Sequence, residues 1–374
     1  MKGEKVETKS TRRIEMEEIK LDLAIKIGCG RYRQEANLME KAGEEIKRFS
    51  NNVLIVAGKR AFDAVKDKLL PSLDKEEIRY EIVIHTGACC YEAAKEYSNL
   101  MIEKGLDEVV GVGGGKIMDL SKAIAEYGHF GTINIPTSAS TCAPYTCMSV
   151  MYTKEGGKKD CWRYEHELDA LLIDNDVIEA CPSRYNAAGI LDAMAKKIEI
   201  QHGQKEMLLK NNEIKRFAAY KMAEYSYEML KENGRAAFIE HDKKAINDVT
   251  YIAVAYTGAI ANMTQSFGQS AIAHSFYDCV RTLFTKEAID YLHGEIVAVG
   301  MIPQLYFNED YEEINNLIEY MKSFNMPTTL REIGIEPSKE NVDKIKQYLL
   351  DSPYIEDRED NVTKLDEALK TILN

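Results

Sequence analysis

Four short apolar runs, each set off by a longer amphipathic stretch, constrain this chain more than any other feature. They are VLIVA (Val53 to Ala57), YEIVIH (Tyr80 to His85), VVGVG (Val109 to Gly113) and TINIP (Thr132 to Pro136). Runs this short, bounded by Gly, Pro or polar residues, suit strands of a parallel sheet covered on both faces. Between them, Ala61 to Leu70, Tyr91 to Lys104 and Lys116 to Tyr127 carry apolar residues at helical spacing. Strand and helix alternating at this pitch describe a doubly wound parallel sheet, an α/β fold.

The pattern then changes. Cys147 to Tyr152, the turn Lys154-Glu155-Gly156-Gly157 and Leu168 to Ile173 are expected to form a hairpin. Beyond Pro182 the strand signals fade, and Ala187 to Gln201, Glu213 to Lys231 and Ile246 to Met263 read as long helices. A length of 374 residues suits two domains. The expected organisation is a charged extension over 1–20, an α/β domain over 21–180 and an all-helical domain over 181–374. No Gly/Ser linker separates the halves, so a shared interface is expected, and such interfaces are common ligand sites.

Composition narrows the functional classes. The 61 acidic side chains against 48 Lys and Arg leave a formal charge of −13, which disfavours binding to nucleic-acid phosphates. The longest mostly apolar stretch, Tyr251 to Met263, falls short of the roughly 20 residues a membrane helix needs. The opening MKGEKVETKSTRR lacks the apolar run of a secretory signal. Cys29, Cys89, Cys90, Cys142, Cys147, Cys161, Cys181 and Cys279 form no CxxC pair and no zinc-finger spacing. They read as reduced thiols of a cytoplasmic protein. Neither nucleic acid nor membrane is expected as a partner.

Gly111-Val112-Gly113-Gly114-Gly115-Lys116 leaves a strand and opens a helix. Successive glycines remove side chains where a backbone must approach a ligand, and a helix N-terminus favours an anion such as a pyrophosphate. A tight structural turn is the competing explanation. The spacing is neither GxGxxG nor a Walker A loop, and Gly28-Cys29-Gly30 reads only as a turn.

A family resemblance becomes specific at this point. GVGGGKIMDLSKAIA is followed by IPTSASTCAPYTCMSVMYTKEG, LIDNDVIEACPSRYNAAGILDA, AIAHSFYD and YLHGEIVAVG. Together these segments closely resemble the glycerol dehydrogenase group of the iron-containing alcohol dehydrogenase-like superfamily, and the likeness runs from about Leu21 across nearly the whole chain. It implies a dinucleotide-binding domain over 21–180, a helical metal-binding domain over 181–374 and a site in the cleft between them. Matched residue by residue, the implied cofactor contacts are Gly114, Gly115, Lys116 and Asp119, then Thr137 and Ser140, then Thr146, Met148 and Tyr152. For the hydroxyls of Thr137 to Thr141, turn or helix capping is the alternative.

The resemblance also implies that Asp192, His274 and His293 hold one divalent metal. One carboxylate and two imidazoles suit zinc or ferrous iron. Relatives that use iron commonly carry a further His four residues after the Asp, where this chain has Lys196, so zinc is the better fit. The other histidines, His85, His129, His166, His202 and His241, are taken as structural. The implied chemistry is hydride exchange between NAD or NADP and a carbon whose oxygen the metal polarises, in a homo-oligomer acting on a small molecule.

Two positions depart from the pattern. Cys142 stands where similar glycerol dehydrogenases have an Asp that bonds polyol hydroxyls. A neutral thiol there is a poor acceptor and tolerates a negatively charged substrate, so a 2-hydroxy or 2-oxo acid rivals glycerol. After VLIVA, where NAD-preferring relatives commonly carry a carboxylate, this chain has Gly58-Lys59-Arg60. Two cations there suit a 2′-phosphate, or form a solvated helix start, so both cofactors stay open. A dehydroquinate-synthase-like lyase and a non-catalytic binding protein on the same scaffold are the readings from other classes.

Overall fold

A computed structural model describes residues 26–202, 214–264, 269–356 and 358–373; the charged extension over 1–20 lies outside them. All four expected strands form. The strands are β1 (Arg31–Glu35), β2 (Asn52–Ala57), β3 (Arg79–Ile84), β4 (Glu108–Gly113), β5 (Gly131–Pro136), β6 (Met148–Tyr152), β7 (Lys158–Arg163) and β8 (Ala170–Asp174). Six of them make one parallel sheet in the order β1-β8-β5-β4-β2-β3. The helices α1 (Ala42–Ile46), α2 (Lys59–Lys75), α3 (Tyr91–Lys104) and α4 (Gly115–Gly128) connect the first strands.

The chain winds outward from β2 to β3, then returns to the other side of β2 for β4. That reversal opens a crevice at the C-terminal ends of β2 and β4, where open α/β sheets bind ligands. The period-two alternation of strand side chains divides the packing. Val53, Ile55, Val110 and Ile133 face Val65 and Leu69 of α2 in one cluster. Leu54, Val56 and Val109 face Met101 of α3 and Leu120 of α4 in another. Each large apolar side chain so buried contributes about 1.5–3 kcal/mol.

Three expectations need correction. The hairpin is β6 with β7, and the 168–173 stretch instead enters the main sheet as β8 between β1 and β5. The run KKDCWR of β7 is too polar to announce a strand, and it forms because its partner β6 supplies the ladder. Strand β1 (RYRQE) also lacks an apolar pattern; Arg31 and Arg33 tie this sheet edge to Glu45 of α1. Helix α2 runs through Pro71 to Lys75 rather than ending at Leu70, and Leu73 completes its buried face.

The rest is helical: α5 (Asn175–Ala180), α6 (Ser183–Ile200), α7 (Ile214–Phe238), α8 (Lys243–Tyr251), α9 (Thr257–Thr264), α10 (Ile272–Leu283), α11 (His293–Phe307), α12 (Tyr311–Ser323), α13 (Lys339–Leu350) and α14 (Glu359–Lys370). The expected helix over 246–263 is interrupted by a π-turn at Ile252–Tyr256, where the Thr257 hydroxyl donates to the Ile252 carbonyl at 2.8 Å. Leu171 and Ile173 of β8 belong to the helical core while Ala170 and Leu172 face the sheet core, so one strand serves both halves. Among the described residues no helix is long and apolar enough to cross a membrane, and all eight cysteines are unpaired.

At the N-terminal ends of the strands, opposite the crevice, Glu108 at the start of β4 is buried beside Asp169, which precedes β8. Burial first, and then the neighbouring Asp169, push the Glu108 carboxyl up to about 9. The unfolded chain loses this proton near pH 4.3, at about the ordinary Glu value. Between those limits the folded state therefore binds more protons, and stability falls as pH rises. Glu108→Gln should raise the melting temperature by about 2 °C or more at pH 8.5 and by less at pH 5. Thermal melts of both proteins at the two pH values check this.

Candidate active site

At the crevice the three glycines of the turn do different work. A Cβ on Gly113 would lie 2.9 Å from the Ile117 Cβ, and one on Gly115 would lie 2.7 Å from the Thr141 Cγ2. These two positions are small because α4 and the following loop pack against them. Gly114 is different. Its φ of −88° suits any residue, and a Cβ there would meet only the Ser138 Oγ at 3.6 Å. Packing does not demand glycine at 114; an approaching ligand would. Gly114 also caps α4 with no side-chain hydrogen bond, and the first turn holds no acid, so no side chain of this turn would oppose an anion at the helix N-terminus.

The hydroxyl-rich loop after β5 lies directly beside this turn. The Thr137 N–H donates to the Gly113 carbonyl at 3.0 Å, and the Ser138 and Ser140 hydroxyls meet at 3.0 Å. Lys116 is exposed on the first turn of α4. The other expected contacts are engaged within the protein. Asp119 is buried, accepts from the Val150 N–H at 3.1 Å and pairs with Lys122 at 2.9 Å. The Lys122 ammonium donates to the carbonyls of Ala143, Thr146 and Met148 and to the Thr146 hydroxyl. This buried lysine, which no motif singles out, ties the loop over 143–148 onto α4. Tyr152 reaches the helical half, its hydroxyl 3.1 Å from that of Tyr277.

Asp192 on α6, His274 on α10 and His293 at the start of α11 converge although 101 positions separate the first from the last. Their ligand atoms all lie within 4.8 Å of one another. The Asp192 Oδ1 stands 3.4 Å from the His274 Nε2 and 3.2 Å from the His293 Nε2. Close backbone approach makes this possible. A Cβ on Gly189 would overlap the Ala139 carbonyl, and one on Gly294 would overlap the Ala188 carbonyl. Arg184 of α6 holds the α11 N-terminus through both Glu295 oxygens, at 2.6 and 2.7 Å.

Glu199, seven residues after Asp192 on the same helix, completes the arrangement. It accepts from the His274 Nδ1 and from the N–H groups of Ala271 at 2.6 Å and His274 at 2.8 Å. This bond turns the His274 Nε2 lone pair toward Asp192 and fixes the ring, the usual way a carboxylate orients a ligating histidine. Burial alone would raise the Asp192 carboxyl, but His293, His274 and Lys196 outweigh it and hold it well below the ordinary carboxylate range. The Tyr277 ring packs edge-on against His293, with centroids 4.2 Å apart. Cys142 is 9% exposed, and burial first, then the charge of Asp192, push its thiol up to about 11. It is neutral at neutral pH.

The remaining histidines have local partners or lie in solvent. His85 meets the Tyr97 hydroxyl and the Ala88 carbonyl, His202 meets the Tyr354 carbonyl, and His129 ends α4 with a left-handed φ of 55°. His166 and His241 are exposed.

The fold, a parallel sheet followed by a helical half, is that of known dehydrogenases. The sequence pattern of the iron-containing alcohol dehydrogenases matches residues 29–175. A glycerol dehydrogenase of Thermotoga maritima is 30% identical over 332 residues, covering 86% of this chain and 88% of that protein. A glycolaldehyde reductase of Halobacterium salinarum is 29% identical over 329 residues, with the same coverages of 86% and 88%. The crystal structure of a glycerol dehydrogenase from Schizosaccharomyces pombe superposes with a TM-score of 0.80 at 22% identity, covering 93% of this chain and 90% of that one. The chain belongs to the iron-containing alcohol dehydrogenase family and is an oxidoreductase.

Because a Cβ fits at Gly114, Gly114→Val should fold normally and still obstruct the crevice. Affinity for NAD or NADP should fall by at least about tenfold, roughly 1.4 kcal/mol, at an unchanged melting temperature. Titration of the cofactor by fluorescence, beside a thermal melt, separates this from damage to the turn.

Proposed function

We propose that the chain interconverts a small alcohol and its carbonyl by hydride transfer with NAD or NADP, aided by one divalent metal at Asp192, His274 and His293. The observation that carries this reading is the Asp192 Oδ1. It is buried with no hydrogen-bond donor, yet it faces the ring nitrogens of two histidines. A buried carboxylate oxygen in that setting fits a cation, and one oxygen with two imidazole nitrogens suits zinc; Lys196 takes the position of a further iron ligand. When bound, the metal supplies Lewis acidity at the substrate oxygen and the nicotinamide supplies or accepts the hydride.

In this reading the segment 21–180 binds the dinucleotide and 181–374 holds the metal. Gly114 and Gly115, with Lys116, Thr137 and Ser140, receive the pyrophosphate side of the cofactor. Tyr152 and Met148 border its nicotinamide side. Asp119 and Thr146 act indirectly, through the Lys122 bonds that hold the loop. Lys59 pairs with Asp63 at 2.7 Å within α2, which leaves Arg60 as the cation better placed to meet a 2′-phosphate. The substrate classes compatible with a neutral Cys142 are a polyol and a 2-hydroxy acid.

His274→Ala should remove most of the bound metal and nearly all turnover while the protein still folds, because His274 is not among the apolar side chains of the helical core. Glu199→Gln should keep the three ligands and weaken metal retention by about tenfold to a hundredfold. Metal content after dialysis against a graded chelator, with circular dichroism alongside, reads both. A His274→Ala protein with full zinc and normal turnover would overturn the assignment.

A further inference from the structure

Lys196 has no role in the arrangement so far. It is 5% exposed, sits one turn after Asp192 on α6, and carries its ammonium 3.5 Å from the His274 Nε2. The comparison with Lys122 is informative, since both lysines are buried to a similar degree. Lys122 is neutralised by Asp119 and surrounded by carbonyl acceptors, so the fold itself completes it. Among the described residues, Lys196 has no carboxylate oxygen within 4.0 Å and no carbonyl acceptor. A buried ammonium left in that state is unfavourable until an anion meets it.

The charges around it define that anion. Among the described residues, the titratable groups whose charge interacts with that of Lys196 are Asp192, Glu199, His274 and the Cys142 thiol. Two carboxylates balance one divalent ion, the imidazoles serve as neutral ligands, and the thiol is uncharged. Glu199 is turned away, engaged by the His274 ring and two N–H groups. One positive charge, that of Lys196, is left over. A polyol would leave it unmatched, and no guanidinium joins it to suit a phosphate dianion.

We propose that Lys196 binds the carboxylate of the substrate, and that the enzyme therefore acts on small 2-oxo and 2-hydroxy acids. A carboxylate on the carbon next to the reacting one is close enough to reach an ammonium that touches a metal ligand. The inference rests on the reading of Asp192, His274 and His293 as the metal site, and it adds the substrate class to that reading.

The test uses the metal-loaded enzyme and oxamate, an unreactive carboxylate with a neighbouring carbonyl, as the binding probe. Calorimetry should find oxamate binding to the wild type. Lys196→Met should weaken it by about thirtyfold or more, as expected for removing one partner of a buried charge pair. The ratio of kcat/KM for pyruvate to that for glycolaldehyde should fall by a similar factor. Lys196→Arg should keep oxamate affinity within about fivefold. Lys196→Gln should repeat the loss if the Met variant misfolds. Oxamate affinity unchanged in the Met or Gln variant at equal metal content would overturn the anchor and leave the metal reading standing. Metal loss confined to the uncharged variants would overturn it too, by assigning Lys196 to the metal site. A wild type that prefers glycolaldehyde or dihydroxyacetone phosphate to pyruvate would overturn the substrate class. Failure of every carbonyl compound to oxidise NADH or NADPH would instead overturn the dehydrogenase reading itself.

Discussion

Helix α6 lies closer to its neighbours than side chains ordinarily allow, and the site depends on that approach. Gly189 lets it rest on the Ala139 carbonyl, and its Ala188 carbonyl meets Gly294 of α11. Asn186 reinforces the first contact by accepting from the Ala139 N–H at 2.9 Å. The loop beyond β5, the carboxylate of Asp192 and the ring of His293 are thereby fixed to one rigid helix. Any Cβ at either glycine would push the backbones apart by more than a hydrogen bond can stretch. The crevice of the sheet and the carboxylate–histidine cluster are held in register by this packing.

Buried charge is the second constraint, and the molecule meets it in three ways. Lys122 and Asp119 neutralise each other inside the sheet half. Glu108 keeps its proton beside Asp169, at a cost to stability that grows with pH. Around Asp192, the imidazoles and Glu199 form a chain of donors and acceptors that ends at the Lys196 ammonium, which among the described residues meets no carboxylate. In the first two the charge is settled within the protein, by an ion pair and by a carboxyl that keeps its proton, whereas the third is read as balanced only with a cation and an anion supplied from outside. That difference separates structural charges from functional ones here, because a low-dielectric interior penalises an unmatched charge wherever it lies.

The sequence carried the sheet through its local pattern. VLIVA, VVGVG and TINIP are apolar enough, and short enough, that burial on both faces is their only stable outcome, and each became a strand. The glycine turn was equally legible as a strand-to-helix junction. What local pattern could not show was partner choice. ALLID reads as a strand, but its neighbours β1 and β5 lie far from it in sequence, and its own strand signal says nothing of either. KKDCWR and RYRQE carry no pattern because their stabilisation comes from ladder bonds and ion pairs with distant segments.

For the site, sequence alone determined a glycine-rich turn between strand and helix suited to an anion; comparison with the resembling family marked a thiol where an acid would bond hydroxyls and a lysine where iron would take a histidine. Family resemblance grouped Asp192, His274 and His293, since no spacing rule connects residues on three helices. Only the tertiary structure decided that Gly114, rather than Gly113 or Gly115, is the glycine with open space, that Glu199 orients His274, and that, among the described residues, Lys122 has a carboxylate partner while Lys196 has none. Each of those distinctions depends on which atoms meet across a packed interface. Such contacts arise from close approach between elements far apart in the chain, so they leave no periodic trace in the order of residues.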